Sequence, residues 1–321
     1  MSHGTPRWCA GALLAAVLLL GGCAQLVPQT MALRTGWPAG VPQTVELTAV
    51  PFFPQDEYQC GPAALATLLA HTGLDITPES LVPQVYVPAR RGSLQIEMLA
   101  AARRHGRVAY VLAPRYADLL REVAAGHPVV VLQDVGMLAS EWHYAVVNGF
   151  DYPSGTVYLR SGIRARQEMS FTALERSWIQ SGYWAMVAVP PARIPATADE
   201  TSWLAAIVAF ERAKDYARAR DAYSAFLERW PDNVSAAIGL ANALYAQGEL
   251  PQAEKVLRGA VARSPGSAIA LNNLAQTLSD QGRDAEALPI AERAVAAGGP
   301  NADAVRQTRD EILKKIEAKK N

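Results

Sequence analysis

The stretch EYQCGPAALATLL, residues 57–69, decides how the first half of this chain is read. Cys60 is followed by Gly61 and Pro62, then by Leu65, Leu68 and Leu69 at helical spacing. That pattern predicts a helix over 60–72, stopped by Gly73. Cys60 therefore stands at a helix N-terminus, beside unpaired backbone N–H groups and the positive end of the helix dipole. Both favour thiolate, so the expectation is a lowered thiol pKa and a nucleophile. Gly61 lets the backbone come close, and Pro62 lacks only an N–H that a first turn leaves unpaired.

The chain has 321 residues and three cysteines. Arg7 and the apolar run ALLAAVLLLGG, 12–22, form a segment too short to span a membrane and stop there. It ends in LGGC, Leu20 to Cys23, which resembles a bacterial lipobox. The resemblance implies a signal peptide of residues 1–23, cleaved before Cys23, with a diacylglyceryl group on the Cys23 sulfur. The alternative is a plain secretory signal. A lipid on Cys23 would anchor the protein in the bacterial cell envelope. Ala24 rather than Asp in the next position favours the outer membrane, facing the periplasm. Cys9 leaves with the signal, so Cys60 is alone. Exported proteins usually pair their cysteines, and an unpaired one is either buried and inert or reactive.

Half the residues are apolar, and 30 Lys and Arg balance 30 Asp and Glu. A zero net charge excludes a nucleic-acid surface, which needs a basic excess. No metal-ligand spacing and no phosphate-cradling glycine loop is present, so no metal or cofactor is expected.

Residues 24–43 carry Pro28, Pro38, Gly40 and Pro42 without an apolar period and read as a tether. Residues 44–190 read as an α+β domain. Strands are expected at TVELTAV (44–50), 108–112, 128–134, 143–150, 156–160 and 183–189. Helices are expected at 60–72, from Thr77 as N-cap, over 93–106 capped by Ser93, and at YADLLREVAAG (116–126). DYPSG, 151–155, has hairpin-turn composition. Residues 191–199 form a proline-rich linker.

Beyond it the sequence repeats. Pro231 and Pro265 are 34 residues apart. Trp203, Ala237 and Leu271 share one position, and Phe210, Leu244 and Leu278 another. Gly248 and Gly282 share a turn, and Ala219, Ala253 and Ala287 a tight helix contact. Tyr223, Leu257 and Ala291 follow four residues on. This resembles the tetratricopeptide repeat, in three copies over 200–301, with a polar capping helix at 302–321. Such an all-α solenoid implies a groove that recruits a protein partner.

A thiol nucleophile needs a base. His3 lies in the signal and His71 at the far end of the Cys60 helix. His105 and His127 adjoin glycines and read as solvated turn residues. His143 opens the apolar strand HYAVVNGF. The set VPFFPQDEYQCGPAAL, SLQIEMLAAARRHG, GHPVVVL and HYAVVNGFD resembles the papain-like superfamily, and within it the bacteriocin-processing family 39 cysteine peptidases, which cut after a double glycine. The resemblance implies Cys60 as nucleophile, His143 as base and acid, and Gln55, or failing it Gln59, as oxyanion donor. It implies a peptide or protein substrate with a glycine-rich site.

The family's acidic third residue has no counterpart at YLRSG, 158–162. Asp151 lies eight strand residues from His143, about 26 Å. A turn near Pro153 sets His143 opposite roughly 161–163, so Ser161 is the orienting candidate, with Asp134 a substitute from a neighbouring strand. Two other readings stay open: a papain-like module that binds peptides without cutting them, and a cell-wall peptide amidase.

Overall fold

The computed structural model describes residues 27–55 and 59–320, so Cys23 lies outside the described residues. The chain divides into two compact units, the first ending at Val189 and the second running from Ala198, with Pro195–Thr197 joined to the first.

The first unit holds α1 (Pro28–Thr35), β1 (Thr44–Glu46), α2 (Cys60–His71), α3 (Pro78–Val85), the hairpin β2 (Tyr86–Val87) and β3 (Gly92–Ser93), and α4 (Gln95–Arg104). These are followed by β4 (Val108–Val111), α5 (Tyr116–Ala124), β5 (Val129–Asp134), β6 (Trp142–Asp151), β7 (Thr156–Ser161), β8 (Arg164–Ser170), α6 (Phe171–Trp178) and β9 (Ala185–Val189). The main sheet runs β4-β9-β5-β6-β7-β8. The long β6 takes β5 along its first half, from Trp142 to Val147, and β1 along its last three residues.

Helix α2 is apolar on every side, and Gly61 through Leu69 are all buried. A helix of that kind has to lie inside a core. Leu65, Leu68 and Leu69 pack with Val130, Leu132, Val146 and Met186 of the sheet. Each fully buried Leu contributes about 1.5–3 kcal/mol relative to exposure. The residue that opens α2 is thereby fixed against the sheet.

The tether expected over 24–43 gives way to a docked helix at residues 28–35. Helix α1 buries Thr30 and Leu33. It has no capping side chain of its own. Its first-turn N–H groups donate instead to the fully buried Glu175, Gln29 N at 2.9 Å and Thr30 N at 2.6 Å. Gln29 returns the favour, accepting from the Tyr116 N–H that opens α5. Trp37 then stacks on Tyr152 at 4.4 Å. Because the cap comes from 145 residues away, local composition could not reveal this helix.

Other boundaries shift for readable reasons. The strand expected at 44–50 spans only 44–46. Ser93 is not a cap: it belongs to β3, and α4 starts at Gln95. Strand β8 escaped notice because its side chains are mostly exposed and polar. Helix α6 follows it with Ser170 as N-cap, accepting from Ala173 N. His127 is no surface residue either. It is 7 % exposed, and its Nδ1 lies 2.7 Å from the buried Glu122 carboxylate.

The second unit is helical: α7 (Glu200–Arg212), α8 (Tyr216–Arg229), α9 (Val234–Ala246), α10 (Leu250–Arg263), α11 (Ala268–Asp280), α12 (Asp284–Ala297) and α13 (Ala302–Ala318). The repeat positions read from sequence are its core. Trp203, Ala237, Leu271, Phe210, Leu278, Ala219, Ala253 and Ala287 are each at most 3 % exposed. Asp199, Asn233 and Ser267, spaced by 34 residues, each cap the first helix of a repeat through a side-chain acceptor. The inter-helix turn needs a left-handed residue, filled by Gly248 at φ +79° and Gly282 at φ +80°. In the first repeat Lys214 occupies it at φ +57°.

Two outcomes follow from this packing. Lys214→Gly should raise the stability of the repeat unit by about 1 kcal/mol, the cost of a left-handed residue bearing a Cβ, read by urea unfolding. Glu175→Ala should cost roughly 1–3 kcal/mol and open the Arg34 bond to trypsin, which is protected while α1 stays docked.

Candidate active site

Cys60 is half-buried at the head of α2, a free thiol. The backbone N–H groups of Tyr144, Gly61 and Cys60 itself surround its sulfur and favour thiolate. Burial outweighs them and pushes the thiol up from its ordinary value. The expected lowering is therefore overturned: removal from water costs the anion more than the helix terminus returns.

Gly61 is required for a steric reason. A Cβ there would stand 2.2 Å from Ser93 Oγ and 2.5 Å from Ser93 Cβ. Ser93 in turn accepts from the Tyr144 hydroxyl through its carbonyl at 3.2 Å. β3 is thus pressed onto the first turn of α2, beside the sulfur.

His143 is the second residue of β6 and pairs with Gln133 on β5. Its Nε2 lies 2.8 Å from Ser161 Oγ. The register explains the contact. Val146 pairs with Arg160, so Ser161 falls level with Ala145, on the same face as His143. With Nε2 engaged, Nδ1 is the ring atom left for the cleft. Burial lowers the His143 pKa, and the Glu141 charge opposes that partly. Burial thus disfavours the charged form of both side chains.

Gln55 is held by both ends of Gly162. Its N–H donates to Gly162 O at 3.0 Å, and its Oε1 accepts from Gly162 N at 3.1 Å. The carbonyl end being used, the Nε2 amide is free to donate. Cys60, His143 and Gln55 line one cleft of about 980 Å3, together with Ser93, Glu141, Tyr144 and Gly162. Gln59 is the N-cap residue of α2 and lies outside that lining.

The other acids are excluded by position. Asp151 ends β6 and accepts from Thr44 Oγ1, at the opposite end of the strand from His143. Asp134 accepts from the N–H groups of Gly136 and Glu141, and these bonds lower its pKa. Among the described residues no carboxylate is hydrogen-bonded to His143. Sequence reading passed over Ser93, Tyr144, Gly162 and Glu141. The one available signal was Glu141, two residues before the histidine in the sequence EWH.

Residues 47–186 match the Peptidase_C39 like family, and residues 204–268 and 238–303 match the Tetratricopeptide repeat. No curated protein matches the chain. Among solved structures, a putative C39-like peptidase from Bacillus anthracis is 19 % identical, covering 46 % of this chain and 98 % of its own, at a TM-score of 0.39. A double glycine motif protease from an AMS/PCAT transporter, in complex with its leader peptide, is 21 % identical over 46 % of this chain and 99 % of its own, at 0.35. The Sgt2 TPR domain from Aspergillus fumigatus is 23 % identical over 38 % of this chain and 82 % of its own, at 0.36.

The contact at Gly61 yields a double-mutant test. Gly61→Ala should destabilise the first unit by about 1–3 kcal/mol. Ser93→Gly, which removes the obstructing atoms, should restore most of that loss in the double variant, measured by thermal unfolding of the four proteins.

Proposed function

From a chain that carries a Peptidase C39-like domain followed by tetratricopeptide repeats, we propose a cysteine peptidase whose repeats recruit a protein partner. The observation that carries the reading is that Cys60, His143 and Gln55, drawn from three separate segments, line a single cleft, with His143 already held through Nε2 by Ser161.

In this mechanism the resting pair is uncharged. As Cys60 Sγ attacks the substrate carbonyl carbon, His143 Nδ1 takes the thiol proton. The carbonyl electrons move to oxygen, which receives hydrogen bonds from Gln55 Nε2 and the Cys60 N–H. Collapse expels the amine, protonated by the His143 imidazolium, and leaves a thioester. A water deprotonated by His143 then releases the acid and restores the thiol. Ser161 fixes the tautomer with Nε2–H outward, so Nδ1 carries the lone pair. The substrate is a polypeptide with a small or glycine-rich site.

The repeats offer a second surface. Asn242, Asn273, Gln276 and Tyr245 line a pocket of about 260 Å3. Asn242 donates to Glu211, and Asn273 to Asn242, so one bonded row crosses successive repeats. Side-chain amides in a row suit the main chain of an extended partner segment. We also propose that a lipid on Cys23 anchors the protein at the envelope membrane. A Cys23→Ala variant should then lose labelling by radiolabelled palmitate and leave the membrane fraction.

A binding module without catalysis is the second reading. The raised Cys60 thiol and the absence of a carboxylate bonded to His143 among the described residues favour it. A Gly-Gly peptide chloromethyl ketone separates the two. Catalytic machinery should give labelling of Cys60 that falls by about 100-fold in His143→Ala and about 10–100-fold in Gln55→Ala. Equal labelling of all three proteins would remove the peptidase reading.

The pH dependence has a definite sign. A thiol raised by burial carries less thiolate at neutral pH than free cysteine. Simple alkylation by iodoacetamide should therefore be slow at pH 6 and 7. It should climb only as pH passes the ordinary thiol value, near 8.5. A plateau already reached at pH 6 would show a preformed thiolate–imidazolium pair instead.

A further inference from the structure

The segment that leads into the strand carrying His143 supplies an acid of its own. Glu141 stands two residues before His143, and the pairing of β6 with β5 continues past Trp142, since Val135 N donates to Glu141 O at 2.9 Å. Residues i and i+2 of an extended strand share a face, about 6.6 Å apart. Gln133 is level with His143 and Asp134 with Trp142, which puts Glu141 and His143 on one side and Asp134 on the other. Glu141 and His143 line the same cleft as Cys60.

The backbone of Glu141 is fixed. Its N–H donates to Asp134 Oδ1 at 2.9 Å, and the same carboxylate oxygen accepts from Gly136 N at 3.1 Å. Asp134 is therefore committed to the β5–β6 loop and unavailable to the imidazole. It holds the residue that is available. Glu141 makes no ion pair among the described residues. Glu141 is exposed, at the edge of the cleft.

Resting on the peptidase reading above, we infer that Glu141 is the carboxylate that steadies the His143 imidazolium when the thiol proton arrives, replacing an acid after the β6–β7 hairpin. It acts through His143 across the cleft lip and does not touch the reacting atoms. It is a positioning and electrostatic residue. Ser161 sets the ring's tautomer, and Glu141 supplies the charge that a hydroxyl cannot. The assignment divides between two side chains what one carboxylate would do. The charged and titratable groups that line the cleft with the ring are Glu141, the Cys60 thiol on α2, and Arg90 and Arg91 on the β2–β3 wall, while Asp134 lies on the other face of the strand pair.

The test reads the ring directly. The His143 Cε1–H resonance, assigned by its loss in His143→Gln, is titrated by NMR in the full chain and in Glu141→Gln. Removing the charge should move the His143 midpoint down by about half a pH unit at low salt, and by less at 1 M salt where the pair is screened. Turnover of a Gly-Gly peptide should fall about 3–10-fold in kcat with KM unchanged, and Glu141→Asp should recover part of it. An unmoved midpoint overturns the inference. So does a loss confined to KM for substrates with a basic side chain, which would make Glu141 a selector of substrate. The two readings fail separately. A shifted midpoint in a protein with no turnover keeps the Glu141–His143 coupling and removes the peptidase. Turnover that needs Cys60 and His143 with a fixed midpoint does the reverse.

Discussion

Three consecutive residues at the end of β7 hold the site together. Arg160 sends its guanidinium to the carbonyls of Val50 and Thr48, on the segment leading to α2. Ser161 meets the His143 ring. Gly162 holds Gln55 at both its backbone and its side chain. A displacement of this strand end would move His143 and Gln55 together. Helix α2 is fixed separately, by the apolar faces it buries on the sheet. Cys60 thus rests on packing, His143 and Gln55 on hydrogen bonds, and the cleft is where the two systems meet. Burial on both sides also works against charge on the thiol and on the imidazole.

The second unit shows the opposite economy. Its order comes from repetition of a few short-range devices: a side-chain cap every 34 residues, a left-handed turn, and an alanine where two helices touch. Each device is local, and each repeat contacts chiefly its neighbours. The groove row Glu211–Asn242–Asn273 uses that same repetition to carry polar groups along one face.

That contrast explains what could be read from the sequence. The repeats were legible almost to the residue, because their signals lie within one helix turn of the feature they specify. Cys60 and His143 were legible as types in a setting, a cysteine before an apolar helix and a histidine entering an apolar strand. Ser161 was reachable because antiparallel register follows from a turn and a count. What escaped depended on partners far away in the chain. Helix α1 is capped by Glu175, and Ser93 was mistaken for a cap because its true constraint is Gly61. The direction of the Cys60 pKa escaped for a different reason. The helix terminus is visible in the sequence, and the depth of burial that overrides it is not.

Strand β6 has ten residues, and its two ends face different tasks. His143 stands at one end. At the other, beyond Asp151, Tyr152 stacks on Trp37 and donates to Leu33 O, where the chain emerging from residues 1–26 is moored. About 26 Å of rigid strand separates the two. The contact that holds α1 and the ring at His143 thus stand a strand's length apart, and a change that loosens one reaches the other only along the backbone of β6.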